Sequence, residues 1–182
     1  LNCANVAANN NIQLYRDNST NAQKWCFTPA LSKEDKLAIQ NKDTLKDGTY
    51  TISTVLNTDY VLTVQNSSKD NCANIQLNKA NYSSSQEFNV THDSDGYVTF
   101  TNINSGKVID LSSAKVENNR NIQQYGSNGT KAQKWIVVKS DTGYIIRSAI
   151  NADYVIDLNC ANVAANNNIQ LYRDNSTNAQ KW

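Results

Sequence analysis

Apolar residues rarely run together along this chain. Tyr, Ile, Val and Thr alternate with polar residues over short stretches such as 50–55 and 144–150, and clusters of Asn, Asp, Gly and Ser separate one stretch from the next. A period of two puts alternate side chains on opposite faces of a strand, and the intervening residues are turn formers. The pattern predicts an all-β fold of many short strands. One stretch breaks it: Ser32-Lys33-Glu34-Asp35 reads as a helix start with the serine as N-cap, and Lys36-Leu37-Ala38-Ile39 continues with good helix formers. Pro29 stands just before it, and turn chemistry returns at 44–48. A short helix is expected there, or else an ordered but irregular connector.

The polar and apolar positions repeat at two lengths. Residues 1–25 recur unchanged at 158–182, an offset of 157. Inside that long period lies a shorter one of 47 residues, on which Tyr60-Val61-Leu62-Thr63, Lys107-Val108-Ile109-Asp110 and Tyr154-Val155-Ile156-Asp157 fall in register. The same register aligns Gly48-Thr49-Tyr50, Asp95-Gly96-Tyr97 and Thr142-Gly143-Tyr144. Further along it aligns Gln86-Glu87-Phe88, Gln133-Lys134-Trp135 and Gln180-Lys181-Trp182. Three homologous lobes, 48–94, 95–141 and 142–182, therefore make one module. A lobe has too few strands to bury its apolar face alone, so the three are expected to share a core around a pseudo-threefold axis. Phe88, Trp135, Trp182 and, in the N-terminal partial copy, Trp25 are the expected core anchors, each bringing ~150–250 Å² of buried area.

The long period makes residues 1–29 a partial third lobe of a preceding module and 30–47 a linker. The chain then reads as a window from a longer tandem protein whose start at Leu1 is not native, or as one to which the 25-residue overlap was added. In lobe two, Trp135 is followed by Ile136-Val137-Val138, a final strand, whereas Trp182 is the last residue of lobe three. Trp25 is followed by Cys26-Phe27-Thr28, which could supply that strand. An unpaired strand edge invites another chain, so residues 1–28 are expected to dock head-to-tail into the third lobe of a neighbouring copy. Such a heterologous contact can run on into filaments.

Charge and composition narrow the function. A formal net charge of +1 with scattered Lys and Arg offers no basic stripe for nucleic acid, and no apolar run approaches the roughly 20 residues that cross a bilayer. The single histidine, His92, lies in Thr91-His92-Asp93 with no Ser or Cys partner in view, and no His, Cys and carboxylate cluster has metal-ligand spacing. Asp43, Asp47, Asp93 and Asp95 fall in turn sequences, where Asp supports the backbone. No catalytic residue, metal or cofactor is expected, so the chain reads as a non-enzyme.

Three in-register lobes, each with a Gln-x-aromatic phrase and, in two of them, an earlier Ile-Asp phrase, resemble the ricin-type β-trefoil lectins. The resemblance covers 48–182 and the N-terminal partial copy. It implies a β-trefoil, with six barrel strands closed at one end by three hairpins, and shallow sugar sites on the lobes. Sugar recognition asks for a carboxylate to accept hydroxyl hydrogen bonds, an aromatic face and amides. In lobe three the resemblance assigns these roles to Asp157, Tyr172, Gln170 and Gln180, and in lobe two to Asp110, Tyr125, Gln123 and Gln133. Lobe one has Thr63 and Asn78 at the Asp and aromatic positions and should be silent. The family often has Asn just before the motif Gln, where this chain has Ser85, Ala132 and Ala179. Asn128 and Asn175 are candidates to replace that amide.

Cys3 and Cys160 are the same position in successive modules, so each period holds three distinct cysteines, Cys160, Cys26 and Cys72. An odd number cannot all pair within one module, which leaves buried thiols or a bond to a neighbour. The Asn-x-Ser/Thr triplets, such as that at Asn128, carry meaning only in a eukaryotic secretory pathway. Two expectations follow: an extracellular or cell-surface lectin-like module with glycans as weak, multivalent partners, or a structural repeat that assembles with copies of itself into a fibre or stalk with vestigial sugar sites. Linked weak sites can still gain ~10²–10⁴ in avidity.

Overall fold

The computed structural model describes residues 6–182; Cys3, one of the cysteines above, lies outside them. The chain divides into two units, Leu1–Ala30 and Leu31–Trp182.

The larger unit is mostly β. Lobe one holds β1 (Gly48–Tyr50), β2 (Ser53–Thr54), β3 (Asn57–Val64), β4 (Ile75–Lys79) and β5 (Phe88–His92). Lobe two holds β6 (Val98–Asn102), β7 (Val108–Leu111), β8 (Arg120–Tyr125) and β9 (Trp135–Lys139), and lobe three β10 (Tyr144–Ser148), β11 (Tyr154–Leu158) and β12 (Asn167–Arg173). All pairings are antiparallel. The barrel staves run β1-β5-β6-β9-β10, and the hairpins β3-β4, β7-β8 and β11-β12 meet at one end, where β12 pairs both β4 and β8. This is a β-trefoil. Apolar residues at matching positions of the lobes fill its centre: Leu62, Ile109 and Ile156, then Val64, Leu111 and Leu158, then Ile75, Ile122 and Ile169, each at most 1% exposed. Phe88 and Trp135 are fully buried and Trp182 nearly so, which accounts for the aromatic at the end of every motif.

Where the resemblance implies six staves, the described residues form five. The sixth position, taken in the other lobes by β5 and β9, holds Trp182 alone. Its amide and carbonyl exchange hydrogen bonds with Tyr144 at 2.9 and 2.8 Å, and the Lys181 carbonyl accepts from Val55 N–H at 3.1 Å.

A helix, α1 (Lys33–Asn41), forms because Ser32 and Asp35 make a reciprocal capping box. It belongs to the trefoil unit, with Ala38 fully buried in a second small core with Tyr97, Ile136, Ala149 and Ala152. Its polar first turn holds the same surface: Glu34 accepts from Ala152 N–H at 3.0 Å, Asp35 accepts from the Tyr97 hydroxyl at 2.6 Å, and Lys33 pairs with Asp153. The hydrogen bonds of Asp35 to Ser32 and Tyr97 hold its carboxyl well below the usual range, while burial and the facing Asp35 push the Tyr97 phenol up. Gly96, with φ +87°, lets the chain pass so close that a Cβ there would lie 2.6 Å from the Ala38 carbonyl oxygen.

The smaller unit has no strand among its described residues, yet it keeps the local turn of the motif. Gln23 accepts from Asn18 N–H at 2.8 Å and donates to the Arg16 carbonyl at 2.9 Å, as Gln180 does with Asn175 and Arg173. Trp25 corrects an expectation. It is 53% exposed and not a core anchor, because its unit lacks the neighbouring strands that bury Trp182.

Candidate functional site

The site residues of lobe two converge on one carboxylate. Strands β7 and β8 pair so that Asp110 lies opposite Gln123, and Gln123 Nε2 donates to Asp110 Oδ1 at 2.9 Å. From the turn before β9, Gln133 Nε2 donates to Asp110 Oδ2 at 3.1 Å and to the Gly126 carbonyl at 3.0 Å, while its Oε1 accepts from Asn128 N–H at 2.8 Å. The indole of Trp135 donates to the carbonyl of Ile109, at 3.3 Å, and so pins the residue just before Asp110. Half-buried Tyr125 ends β8, opposite Val108 in the register.

Lobe three repeats the arrangement. Asp157 lies opposite Gln170 in the β11-β12 register and accepts from Gln170 Nε2 at 2.9 Å. Gln180 accepts from Asn175 N–H at 2.9 Å and donates to the Arg173 carbonyl at 3.0 Å. The Trp182 indole donates to the Ile156 carbonyl at 3.1 Å, and Tyr172 is half-buried on β12. Asp110 and Asp157 are recessed, 6% and 5% exposed. Burial pushes both carboxyls above the ordinary aspartate range, and the glutamine amides oppose that shift only in part. A carboxylate has about four lone-pair directions, so each aspartate keeps acceptor capacity beyond its glutamines.

Lobe one differs in kind. Gln86 Nε2 donates to Thr63 Oγ1 at 3.1 Å, and that hydroxyl is itself spent on the Val61 carbonyl at 3.1 Å. Gln76 turns away to Asn166 at 2.8 Å, and Phe88 has no indole to donate. Asn128 and Asn175 do not place their carbonyl oxygens at the site. Each Oδ1 accepts from the N–H and the hydroxyl of the threonine two residues on, Thr130 and Thr177. Cys26, Cys72 and Cys160 are exposed, against the expectation of buried thiols; Cys72 and Cys160 sit in turns, at φ of 66° and 54°.

Sequence reasoning passed over two features. The Trp135 and Trp182 indoles hold the backbone beside each aspartate, a role hidden behind their obvious packing value. The strand carrying each aspartate, or Thr63, also runs into a turn with two consecutive left-handed residues: Ser113 and Ala114, Cys160 and Ala161, and in lobe one Asn66 and Ser67. Non-glycine residues pay roughly 1–2 kcal/mol each for that conformation. The turn occurs in the lobe without an aspartate too, so it serves the hairpin.

The family model described as ricin-type beta-trefoil lectin domain-like matches residues 39–125 and again 84–172. The chain belongs to that family, a class of carbohydrate-binding β-trefoils. Among solved structures it is similar to the designed 3-fold symmetric protein ThreeFoil (TM-score 0.71, 24% identity, covering 75% of this chain and 96% of that one). It is similar also to the Rhizoctonia solani agglutinin (0.70, 26%, covering 76% and 94%). A third is an exo-beta-1,3-galactanase from Clostridium thermocellum (0.67, 28%, covering 77% of this chain and 30% of the enzyme). No curated protein matches the chain. No helix among the described residues is long and apolar enough to cross a membrane.

Proposed function

We propose that the chain is a non-catalytic lectin-like module of an extracellular or cell-surface protein, binding glycans weakly through lobes two and three. One observation carries the reading: in those two lobes, and not in lobe one, a recessed aspartate accepts from the glutamine facing it across the hairpin, with an indole bracing the residue before it and a tyrosine on the same hairpin, and in lobe two the motif glutamine donates to it as well. A carboxylate oxygen that already accepts one amide can accept a sugar hydroxyl, and the tyrosine ring can take the sugar's C–H face. Binding is weak per site because Ala132 and Ala179 stand where the family often has an amide, and the nearby Asn128 and Asn175 oxygens are spent on their own turns. Similarity to an agglutinin, and to a galactanase in which the shared fold is a minor part of the chain, supports a binding role. A glycan array probed with the protein, and with the Asp110→Asn, Asp157→Asn double variant, tests this. The account expects binding that the double variant loses; glycan binding that survives it overturns the assignment.

A further inference from the structure

Each hairpin of the trefoil is edged by a chain from a neighbouring lobe. At all three junctions an asparagine pairs with the glutamine of the second hairpin strand: Asn74 with Gln123, Asn121 with Gln170 and Asn168 with Gln76. Three residues before these asparagines the 47-residue register aligns Asn71, Asn118 and Ala165. Asn71 Oδ1 accepts from Gly126 N–H at 2.9 Å, and Asn118 Oδ1 accepts from Arg173 N–H at 2.9 Å. Gly126 and Arg173 directly follow the site tyrosines, Tyr125 and Tyr172, and their carbonyls are the ones that accept from the motif glutamines Gln133 and Gln180. At the third junction the backbone comes just as close, since Asn166 N–H donates to the Leu77 carbonyl at 2.8 Å as Cys72 N–H does to the Gln124 carbonyl at 2.9 Å. There, however, Ala165 has no polar group to offer lobe one. The asparagine therefore accompanies the two lobes that hold an aspartate and is missing beside the lobe that holds Thr63.

A backbone N–H only donates, so the Oδ1 of each asparagine faces it and the Nδ2 is turned away. Both asparagines are exposed, and among the described residues neither Nδ2 has a hydrogen-bond partner. Their place in the sheet sets what they can meet. Asp110 stands on β7, Gln123 and Tyr125 on β8, and Asn71 on the chain along the far edge of β8. Neighbouring chains in a sheet lie ~4.7–4.9 Å apart, so the chain of Asn71 runs about 10 Å from β7. One sugar ring that hydrogen-bonds Asp110 and lays its face on Tyr125 does not span that distance; two linked rings do. We propose that the sites of lobes two and three continue across the lobe boundary, where Asn71 and Asn118 donate from Nδ2 to a hydroxyl of a second sugar, so that each site prefers an oligosaccharide to its terminal monosaccharide. The same residues position the site, because Oδ1 holds the peptide that follows the tyrosine and leads to the carbonyl bound by the motif glutamine. Lobe one lacks both parts, the carboxylate and the asparagine beside it. This deepens the sugar reading above and rests on it.

NMR titration of the full chain in the Asp157→Asn background, which leaves lobe two as the acting site, tests this with two probes: the oligosaccharide that gives the strongest wild-type array signal, and its terminal monosaccharide. The parent should bind the oligosaccharide about two- to tenfold more tightly, the worth of one neutral hydrogen bond. Asn71→Ala and Asn71→Asp should each abolish that preference. A carboxylate at this position still accepts from Gly126 N–H, so Asn71→Asp should keep the Gly126 amide resonance in place while Asn71→Ala moves it. The matching result for lobe three is loss of the preference on Asn118→Ala in the Asp110→Asn background. The proposal falls if the parent binds both sugars equally, if Asn71→Ala keeps the preference, or if Asn71→Asp keeps it, since Asn71 would then only brace the turn. A parent that binds neither sugar defeats the sugar reading itself and this proposal with it, so the two failures are told apart.

Discussion

Truncating the motif glutamine should cost more in lobe two than in lobe one, by an amount the structure supplies. Gln133 and Gln86 make matched contacts. Each accepts one loop N–H at 2.8 Å, from Asn128 or Asn81, and each donates to one loop carbonyl at 3.0 Å, of Gly126 or Lys79. Both side chains are at most 2% exposed. They differ in the remaining bond, which reaches the Asp110 carboxylate in one case and the Thr63 hydroxyl in the other, both at 3.1 Å. A hydrogen bond to a charged group contributes about 1.5–3 kcal/mol and a neutral one about 0.5–1.5. With the two shared bonds cancelling, Gln133→Ala should therefore destabilise the trefoil by about 1 kcal/mol more than Gln86→Ala. Urea unfolding of both variants at pH 7 measures the difference as a shift in midpoint at constant slope. The gap should close when Asp110→Asn is the common background, since the charge is then absent from both. Equal losses for the two glutamines, or a larger loss at Gln86, would refute the claim that the motif glutamine of lobe two is a carboxylate ligand as well as a loop brace.

Asp110→Asn and Asp157→Asn should each remove one glycan site and together all binding, whereas Thr63→Ala should leave affinity within twofold, as isothermal titration would report. Acid should weaken binding from a pH above the ordinary aspartate value of about 3.9, because burial raises both site carboxyls and the protonated form loses acceptor capacity. The sign for stability is opposite. A folded-state pKa above the unfolded one means these two groups stabilise the fold as pH falls through that window and cost stability as it rises, so the Asn variants should flatten that part of the pH profile. Gly96→Ala and Gly106→Ala both force a side chain to positive φ, at +87° and +67°, but only the first meets the α1 backbone. Thermal melts should show the larger drop for Gly96→Ala, and equal drops would mean that α1 does not press on that turn.

Much of this fold was legible because the 47-residue register holds through the three hairpins, although it slips by one residue at β6, where Val98 and not Tyr97 takes the place of Tyr50 and Tyr144. Leu62, Ile109 and Ile156 occupy one layer, and a sequence that places them at equal spacing beside turn clusters leaves few alternatives to three lobes around one axis. The aspartates and glutamines were singled out by the family resemblance and not by spacing alone; that Asp157 faces Gln170 is a matter of the β11-β12 register. What stayed hidden depends on through-space direction. Nothing in the spacing says that the Trp135 indole aims at the carbonyl before Asp110, that Asn128 turns back onto Thr130, or that Ser113 and Ala114 both adopt left-handed backbone without a glycine. Trp25 was misplaced for a related reason: identical residues bury alike only when the same strands surround them. The surface on which α1 rests was equally silent in sequence, because Asp35, Tyr97 and Ala152 lie far apart along the chain.

The central claim, that two of three lobes carry a sugar site, is tested most directly by residue-resolved NMR titration of the full chain with a glycan that the array selects. The account predicts saturable shifts in two clusters, around Asp110, Gln123 and Tyr125 and around Asp157, Gln170 and Tyr172, with Thr63, Gln76 and Asn78 unmoved. Shifts confined to lobe one, or spread away from both aspartates, would contradict it.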